Sequence, residues 1–293
     1  MKKNKTTTVF LALLSAIPRK IRQQVCVALF LLFYHVSPRR RLIAIHNLKR
    51  AFPEKSMNEI INIAKGAYRN MAIVAADFAE IPKLTPENYD KLIEVEGLEH
   101  CRKALEQNRG LLIFGGHFGN WELGAIVMSL AIKPAVIIYR PLDNPLLENL
   151  VTWVRTCTDN IPVAKDHAMR KMIRHLKQND ILGVMIDQNF SVTEGVFVDF
   201  FGRPACTTIG LALLAIHTGA PVIPGFVIRL ADGRYRLVFG EAVERIETGD
   251  HEQDVLLNTQ RYTRIVEDMV RRYPDQWLWL HQRWKTMPPP PEP

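Results

Sequence analysis

The 293-residue chain lacks the features that announce several common classes of protein. Its four cysteines, Cys26, Cys101, Cys157 and Cys206, lie far apart with no C-x-x-C and no metal-finger spacing. They read as free thiols in a reducing compartment rather than as a disulfide framework or a Cys-based metal site. The chain has no G-x-S-x-G, which argues against a nucleophile-elbow hydrolase. It has no G-x-x-x-x-G-K-[ST], which argues against a P-loop nucleotide site, and no H-E-x-x-H, which argues against a zincin. No apolar run reaches the roughly 20 residues needed to span a bilayer. Acidic residues are in the minority, with 30 Asp and Glu against 38 Lys and Arg and a formal charge of +8. That balance suits an anionic membrane, a nucleic acid or an acidic carrier protein without choosing among them.

With 47% hydrophobic residues, the chain can bury a large core. The first forty residues differ from the rest. Lys2, Lys3 and Lys5 precede an apolar run at residues 9–17, which Pro18, Arg19, Lys20 and Arg22 interrupt. A second run at 25–36 is closed by Arg39, Arg40 and Arg41. Charges directly after the first run, with no small-residue cleavage site, argue against a signal peptide. A buried core helix at 25–36 is one rival reading. The preferred one is a monotopic or re-entrant anchor whose basic flanks meet lipid headgroups.

Downstream, residues 58–78 carry Ile60, Ile61, Ile63, Ala64, Ala67 and Met71 at helical spacing, and a second helix is expected at 98–107. Apolar runs at 111–114, 135–139, 181–186, 222–228 and 235–239 then alternate with helical patterns at 121–130, 145–155, 167–176 and 207–218. A long helix is expected at 254–272. Alternating strands and helices predict an α/β domain with a central, mostly parallel sheet flanked by helices. The chain divides into a membrane-associating helical segment at 1–41, a main domain at 42–287 and a Pro-rich tail at 288–293.

Ligands of open α/β sheets bind beyond the carboxyl ends of the strands, and three runs here end in residues capable of chemistry. The first leads into Gly115-Gly116-His117-Phe118-Gly119-Asn120-Trp121-Glu122-Leu123. Residues five apart on one helix point about 140° away from each other, so His117 and Glu122 can meet only if His117 lies in the turn and Glu122 in the first helical turn. Backbone N–H groups of such a turn can receive an oxyanion. The second run ends at Arg140, in Tyr139-Arg140-Pro141-Leu142-Asp143-Asn144-Pro145, and the third at Asp187. With no evident Ser or Cys nucleophile, direct transfer is the attractive chemistry. A His paired with a carboxylate takes the proton of an alcohol as it attacks an activated carbonyl, for which the thioester of an acyl carrier is the natural choice, and an Arg or a backbone N–H steadies the oxyanion. A metal-dependent hydrolase using His117 and Asp187 is a competing class with an incomplete ligand set. A catalytically silent membrane-binding protein is a third.

These residues resemble the bacterial lipid A biosynthesis acyltransferases, the lauroyl and myristoyl transferases, within the wider glycerolipid acyltransferase superfamily. His117 and Glu122 match the H-x₄-[DE] motif. Tyr139-Arg140-Pro141 with Asp143-Asn144-Pro145 and Trp153-Val154-Arg155 look like a second block, and Asp187 matches the acidic residue of a third. Val196 to Gly202 looks like a glycine-ended loop, Pro221-Val222-Ile223-Pro224 like the h-x-P-h block, and Gln276-Trp277-Leu278-Trp279-Leu280-His281 like the C-terminal signature. The resemblance implies a glycerolipid acyltransferase-like fold at the cytoplasmic face of the inner membrane. There a fatty acyl group would pass from acyl carrier protein to a hydroxyl of a Kdo-lipid A precursor. His117 is the implied general base and Glu122 its partner. Arg140 and Arg155 would bind phosphates or the oxyanion, with Asp187 orienting one of them. No cofactor, metal or nucleic acid is implied; the partners are the carrier protein, the glycolipid and an anionic membrane surface. The interior Phe118-Gly119-Asn120-Trp121 is also similar to mannoside-lipid acyltransferases, which makes another glycolipid or a lysophospholipid the alternative acceptor. Trp277, Trp279 and Trp284 read as core or interface aromatics, and His217 and His281 as structural.

Overall fold

The computed structural model describes residues 13–165 and 168–289. Three helices come first: α1 (Arg19–Val36), α2 (Pro38–Ala51) and α3 (Met57–Asp77). Strands and helices then alternate as β1 (Ile93–Glu96), α4 (Leu98–Leu105), β2 (Leu111–Gly115), α5 (Trp121–Ala131), β3 (Ala135–Tyr139), α6 (Pro145–Arg155), β4 (Ile161–Ala164), α7 (Met169–Lys177) and β5 (Ile181–Met185). A hairpin of β6 (Gly195–Asp199) and β7 (Pro204–Thr208) follows, then α8 (Gly210–Thr218), β8 (Val222–Arg229), β9 (Tyr235–Phe239) and α9 (His251–Arg272). The helices begin where side chains satisfy their free N–H groups. Ser56 and Glu59 close a capping box on α3. Asn144 accepts from Leu146 and Leu147 ahead of Pro145 at the start of α6, and Asp250 accepts from Glu252 and Gln253 at the start of α9.

The main sheet has seven strands in the order β1-β9-β8-β2-β5-β3-β4. The five from β8 to β4 are mutually parallel, and β9, with its parallel neighbour β1, runs against β8. Both faces are covered. In β2, Leu112 and Phe114 join the core that includes α8 and α9, while Leu111 and Ile113 join the core that includes α4 and α5. The expected α/β architecture with a mostly parallel sheet is therefore observed. Residues 222–228 and 235–239, expected as strands, form an antiparallel hairpin. Two expectations need correcting. The helix expected from 207 starts at Gly210, because Thr207 and Thr208 complete β7. Residues 196–202, read as a loop, are β6 and its turn. The short strands β1 and β4 escaped the sequence reading. The expected start of the 167–176 helix at His167 lies outside the described residues, as do residues 1–12 and 290–293.

Residues 25–36 fall within α1, which starts just after Pro18, so Arg19, Lys20 and Arg22 lie inside the helix rather than between two segments. Arg22 and Tyr34 are buried; Ile21, Val25, Leu29, Leu32, Phe33 and Val36 are exposed. The segment is neither a fully buried core helix nor a bilayer span, and no helix among the described residues is long and apolar enough to cross a membrane. Its inner face is tied by charge. Arg22 donates to the Ala76 carbonyl at 2.7 Å and pairs with Glu80. The buried Asp77 carboxylate accepts from Arg19 Nε at 3.0 Å and Nη2 at 2.7 Å, from Gln23 at 2.9 Å and from the Tyr235 hydroxyl at 2.6 Å. One carboxylate thus joins α1, α3 and the sheet. Breaking such a buried pair typically costs about 3–5 kcal/mol, so Asp77→Ala is expected to lower unfolding stability by about that amount and to speed amide exchange across residues 19–36. An unchanged denaturation midpoint would show that the contact contributes nothing.

Candidate active site

The candidate site lies at the carboxyl edge of β2, β3 and β5. Adjacent strands β2 and β5 are in register with Gly115 opposite Met185, so the residues two positions beyond, His117 and Asp187, emerge side by side. Gly116 permits this approach: a Cβ there would lie 3.0 Å from the Asp187 carboxylate. The Asp187 Oδ1 atom lies 2.8 Å from His117 Nδ1, and Oδ2 accepts from the His117 backbone N–H at 2.8 Å and from Trp277 Nε1 at 2.7 Å. An ionised carboxylate only accepts, so Nδ1 carries the proton and Nε2 holds a lone pair. The His117 side chain is 22% exposed and lines a cavity of about 760 Å³.

Burial opposes charge on both members of the pair, but their mutual attraction and hydrogen bonds prevail. The Asp187 carboxyl is held below the usual carboxylate range, with the His117 and Trp277 donors contributing. The His117 imidazole is held above its ordinary value by Asp187, with a smaller contribution from the Glu122 charge.

The turn is fixed from below. Gly119 adopts φ +56°, and any side chain there would collide with the Val227 carbonyl, its Cβ falling 1.6 Å from that oxygen. The Gly119 N–H donates to the Gln276 carbonyl at 2.8 Å, and the His117 carbonyl accepts from Leu278 at 3.1 Å. Phe118 N–H donates to the Gly116 carbonyl at 2.7 Å. The N–H groups of residues 117, 118 and 119 are therefore all committed, whereas those of Asn120, Trp121 and Glu122 at the start of α5 have no hydrogen-bond partner among the described residues. Asn120 then caps α5 by accepting from Leu123 at 3.1 Å.

Glu122 falls in the first turn of α5, as expected, but it does not hydrogen-bond His117. Its carboxylate accepts from Arg155 Nε at 2.8 Å, again from Arg155 Nη2, and from Trp121 Nε1 at 3.1 Å. Glu122 touches His117 through its field alone, and the imidazole's direct partner is Asp187. This corrects two pairings, Glu122 with His117 and Asp187 with an arginine. Arg155, at the end of α6, sits over the Tyr139 ring at 5.3 Å. Arg140 stands at the cavity rim with its side chain 71% exposed, bonded at 2.9 Å to the still more open Asp143, and takes no part in the buried cluster.

Sequence reasoning missed Trp277 and Gln188. Trp277 packs in the core as expected, 4.6 Å from the Trp279 ring, but its N–H also serves Asp187. The signal for it was its place in the C-terminal block. Gln188, next to Asp187, brings its amide nitrogen to 3.4 Å from His117 Nε2. His281 lines the cavity and accepts from the Asn189 N–H at 2.9 Å; burial pushes its pKa down to about 4, so it is neutral and structural in this role. Among the described residues, no three His, Cys, Asp or Glu side chains converge as a metal site. Much of the cavity wall is apolar, with Ile113, Met128, Ile137, Val184, Leu237 and Phe239 in it, while Arg140, Lys165, Glu194 and Lys285 also line the cavity.

The family model for bacterial lipid A biosynthesis acyltransferases matches residues 6–286. The chain is 30% identical over 252 residues to the lipid A biosynthesis lauroyltransferase of Escherichia coli K12, covering 85% of this chain and 80% of that protein. It is 29% identical over the same length to the palmitoleoyltransferase of that organism, with the same coverage. It is 31% identical over 262 residues to a lipid A biosynthesis acyltransferase of Haemophilus influenzae, covering 88% and 82%. With a match over nearly its whole length, the chain belongs to the bacterial lipid A biosynthesis acyltransferase family and is an acyltransferase.

Proposed function

We propose that the protein transfers a fatty acyl group from the thioester of acyl carrier protein to a hydroxyl of a Kdo-lipid A precursor at the cytoplasmic face of the inner membrane. The observation that carries this reading is the His117–Asp187 couple, whose unprotonated Nε2 opens onto a large, mainly apolar cavity in a chain of this family. His117 Nε2 takes the acceptor hydroxyl proton as the hydroxyl oxygen bonds to the thioester carbon. Asp187 holds the tautomer and stabilises the imidazolium. When the tetrahedral intermediate collapses, the C–S bond breaks and the thiolate leaves with the proton from Nε2. Glu122 acts one step away by fixing Arg155, whose charge faces the anionic groups of the substrates. The apolar wall receives the acyl chain.

The membrane reading rests on α1. Its exposed stripe of Ile21, Val25, Leu29, Leu32, Phe33 and Val36 lies between Lys20 at one end and the basic run Arg39 to Arg41 just beyond the other, a pattern suited to the interface of an anionic leaflet. Replacing Leu29 and Phe33 together by Asp is expected to abolish cosedimentation with anionic vesicles while leaving the fold intact. Retained binding would remove this role for α1.

His117→Ala and Asp187→Asn are each expected to lower transfer from lauroyl-acyl carrier protein by about 10²- to 10⁴-fold. Product masses with a lipid A precursor and with other glycolipids would test the acceptor. Near-normal rates in either folded variant would remove the mechanism.

The active imidazole is neutral and its pKa is raised, so kcat/KM is expected to fall as pH drops through a value above the ordinary imidazole pKa of about 6.5. Glu122→Gln removes one of the negative charges that raise it and should move that acid limb to lower pH. An unmoved limb would show that the Glu122 field does not reach the base.

A further inference from the structure

The N–H groups of the 117–119 turn beside the base are committed, so the negative charge of an acyl-transfer intermediate must be met by the N–H groups at the start of α5, by a cavity side chain or by both. The polar side chains lining the cavity are mostly engaged. Arg155 is gripped by Glu122, Trp121 donates to the same carboxylate, the Asn189 amide donates to Phe190 and Thr286, and Lys165 pairs with Glu194 at 3.5 Å. Besides the exposed Lys285, Gln188 differs: among the described residues its side-chain amide has no partner beyond a loose 3.4 Å contact with His117 Nε2. Because Nδ1 carries the imidazole proton, the amide nitrogen is the donor in that contact. It therefore points an N–H at the place where the reacting atoms must gather.

The backbone of this residue is held as firmly as its side chain is free. Its carbonyl accepts from the fully buried Arg283 at 3.1 Å, and the same guanidinium donates to the Cys206 carbonyl at 2.8 Å and to the Thr207 hydroxyl. Burial lowers the Arg283 pKa to about 10, still far above neutrality, so it stays charged with no carboxylate in contact. On either side, Asp187 is fixed by His117 and Trp277, and Asn189 by His281 and Thr286. A rigid backbone thus anchors a side-chain amide that remains free to turn toward a bound carbonyl.

We infer that Gln188 is a catalytic residue whose amide N–H turns from His117 Nε2 to the thioester carbonyl oxygen and stabilises the oxyanion. The inference rests on the acyl-transfer reading above. As the hydroxyl oxygen bonds to the carbonyl carbon and its proton passes to Nε2, the carbonyl π pair moves onto oxygen, where Gln188 donates to it. Protonation of Nε2 removes the lone pair that held the amide, so the two events favour each other. When the carbonyl reforms, the C–S bond breaks and Nε2 returns its proton to the departing thiolate.

The test compares Gln188→Ala and Gln188→Glu with the parent protein, using lauroyl-acyl carrier protein as donor and the thioether analogue, which has no carbonyl, as a binding probe. Loss of one oxyanion donor is expected to lower kcat by about 10²- to 10³-fold in both variants. Glu keeps the shape of Gln but has no N–H to donate. In Gln188→Ala, thioether affinity should stay at its parent value, and the acid limb should move only slightly, to higher pH, as the loose donation to Nε2 is lost. A parent-like kcat overturns the inference. So does a shifted acid limb with an unchanged rate plateau, which would make Gln188 a positioning residue for His117. Loss of thioether affinity with kcat retained overturns it as well, by assigning the residue to ground-state binding. His117→Ala, run alongside, separates the two readings: full activity there removes the acid–base mechanism itself, whereas an inactive His117→Ala with a fully active Gln188→Ala removes only the role of Gln188.

Discussion

The Asp187 carboxylate is the constraint on which the rest of the site depends. A buried carboxylate without partners is costly, and this one is satisfied by donors from separate parts of the chain: the backbone and ring of His117 after β2, and the indole of Trp277 near the C-terminus. Each bond does a second job. The backbone bond closes the Gly116 turn onto β5, the ring bond selects the tautomer, and the indole bond draws the C-terminal segment across the turn, where Gly119 and His117 meet Gln276 and Leu278. The same bonds that hold the polypeptide together leave Nε2 free for a proton.

Glu122 and Arg155 form a second buried couple beside the first, and the separation of the two is instructive. Had Glu122 bonded His117 directly, Arg155 would lack the carboxylate that offsets its burial in a site that is otherwise largely apolar. Giving Arg155 and the imidazole each its own carboxylate offsets the cost of burial at both, while their fields overlap. The cavity wall beyond them is mainly apolar, which makes each buried polar group that does line it matter more.

Much of this was legible in the sequence. The apolar runs located the central strands, the glycines located the turn, and the rule that ligands gather at strand carboxyl ends singled out both His117 and Asp187. What the sequence could not state was strand adjacency. The partners of His117 follow from β2 lying beside β5 in a particular register, a long-range fact that no local pattern carries, and motif spacing alone pointed to Glu122. The N-terminal segment shows a related limit. Its arginines read as breaks in an apolar pattern, whereas Arg19 and Arg22 are the residues that hold α1 to the domain, because Asp77 and Glu80 wait at the end of α3 and just past it. The short strands β1 and β4 were missed because four-residue strands carry too few side chains to establish a period.

The donation from Trp277 to Asp187 also has a consequence for biosynthesis. A chain still on the ribosome and complete only through the end of α9 at Arg272 has every strand of the sheet, yet lacks the indole that fixes the carboxylate and the segment that braces the turn. A third donor to the carboxylate and the brace of the turn thus come from residues that emerge after the scaffold has been made.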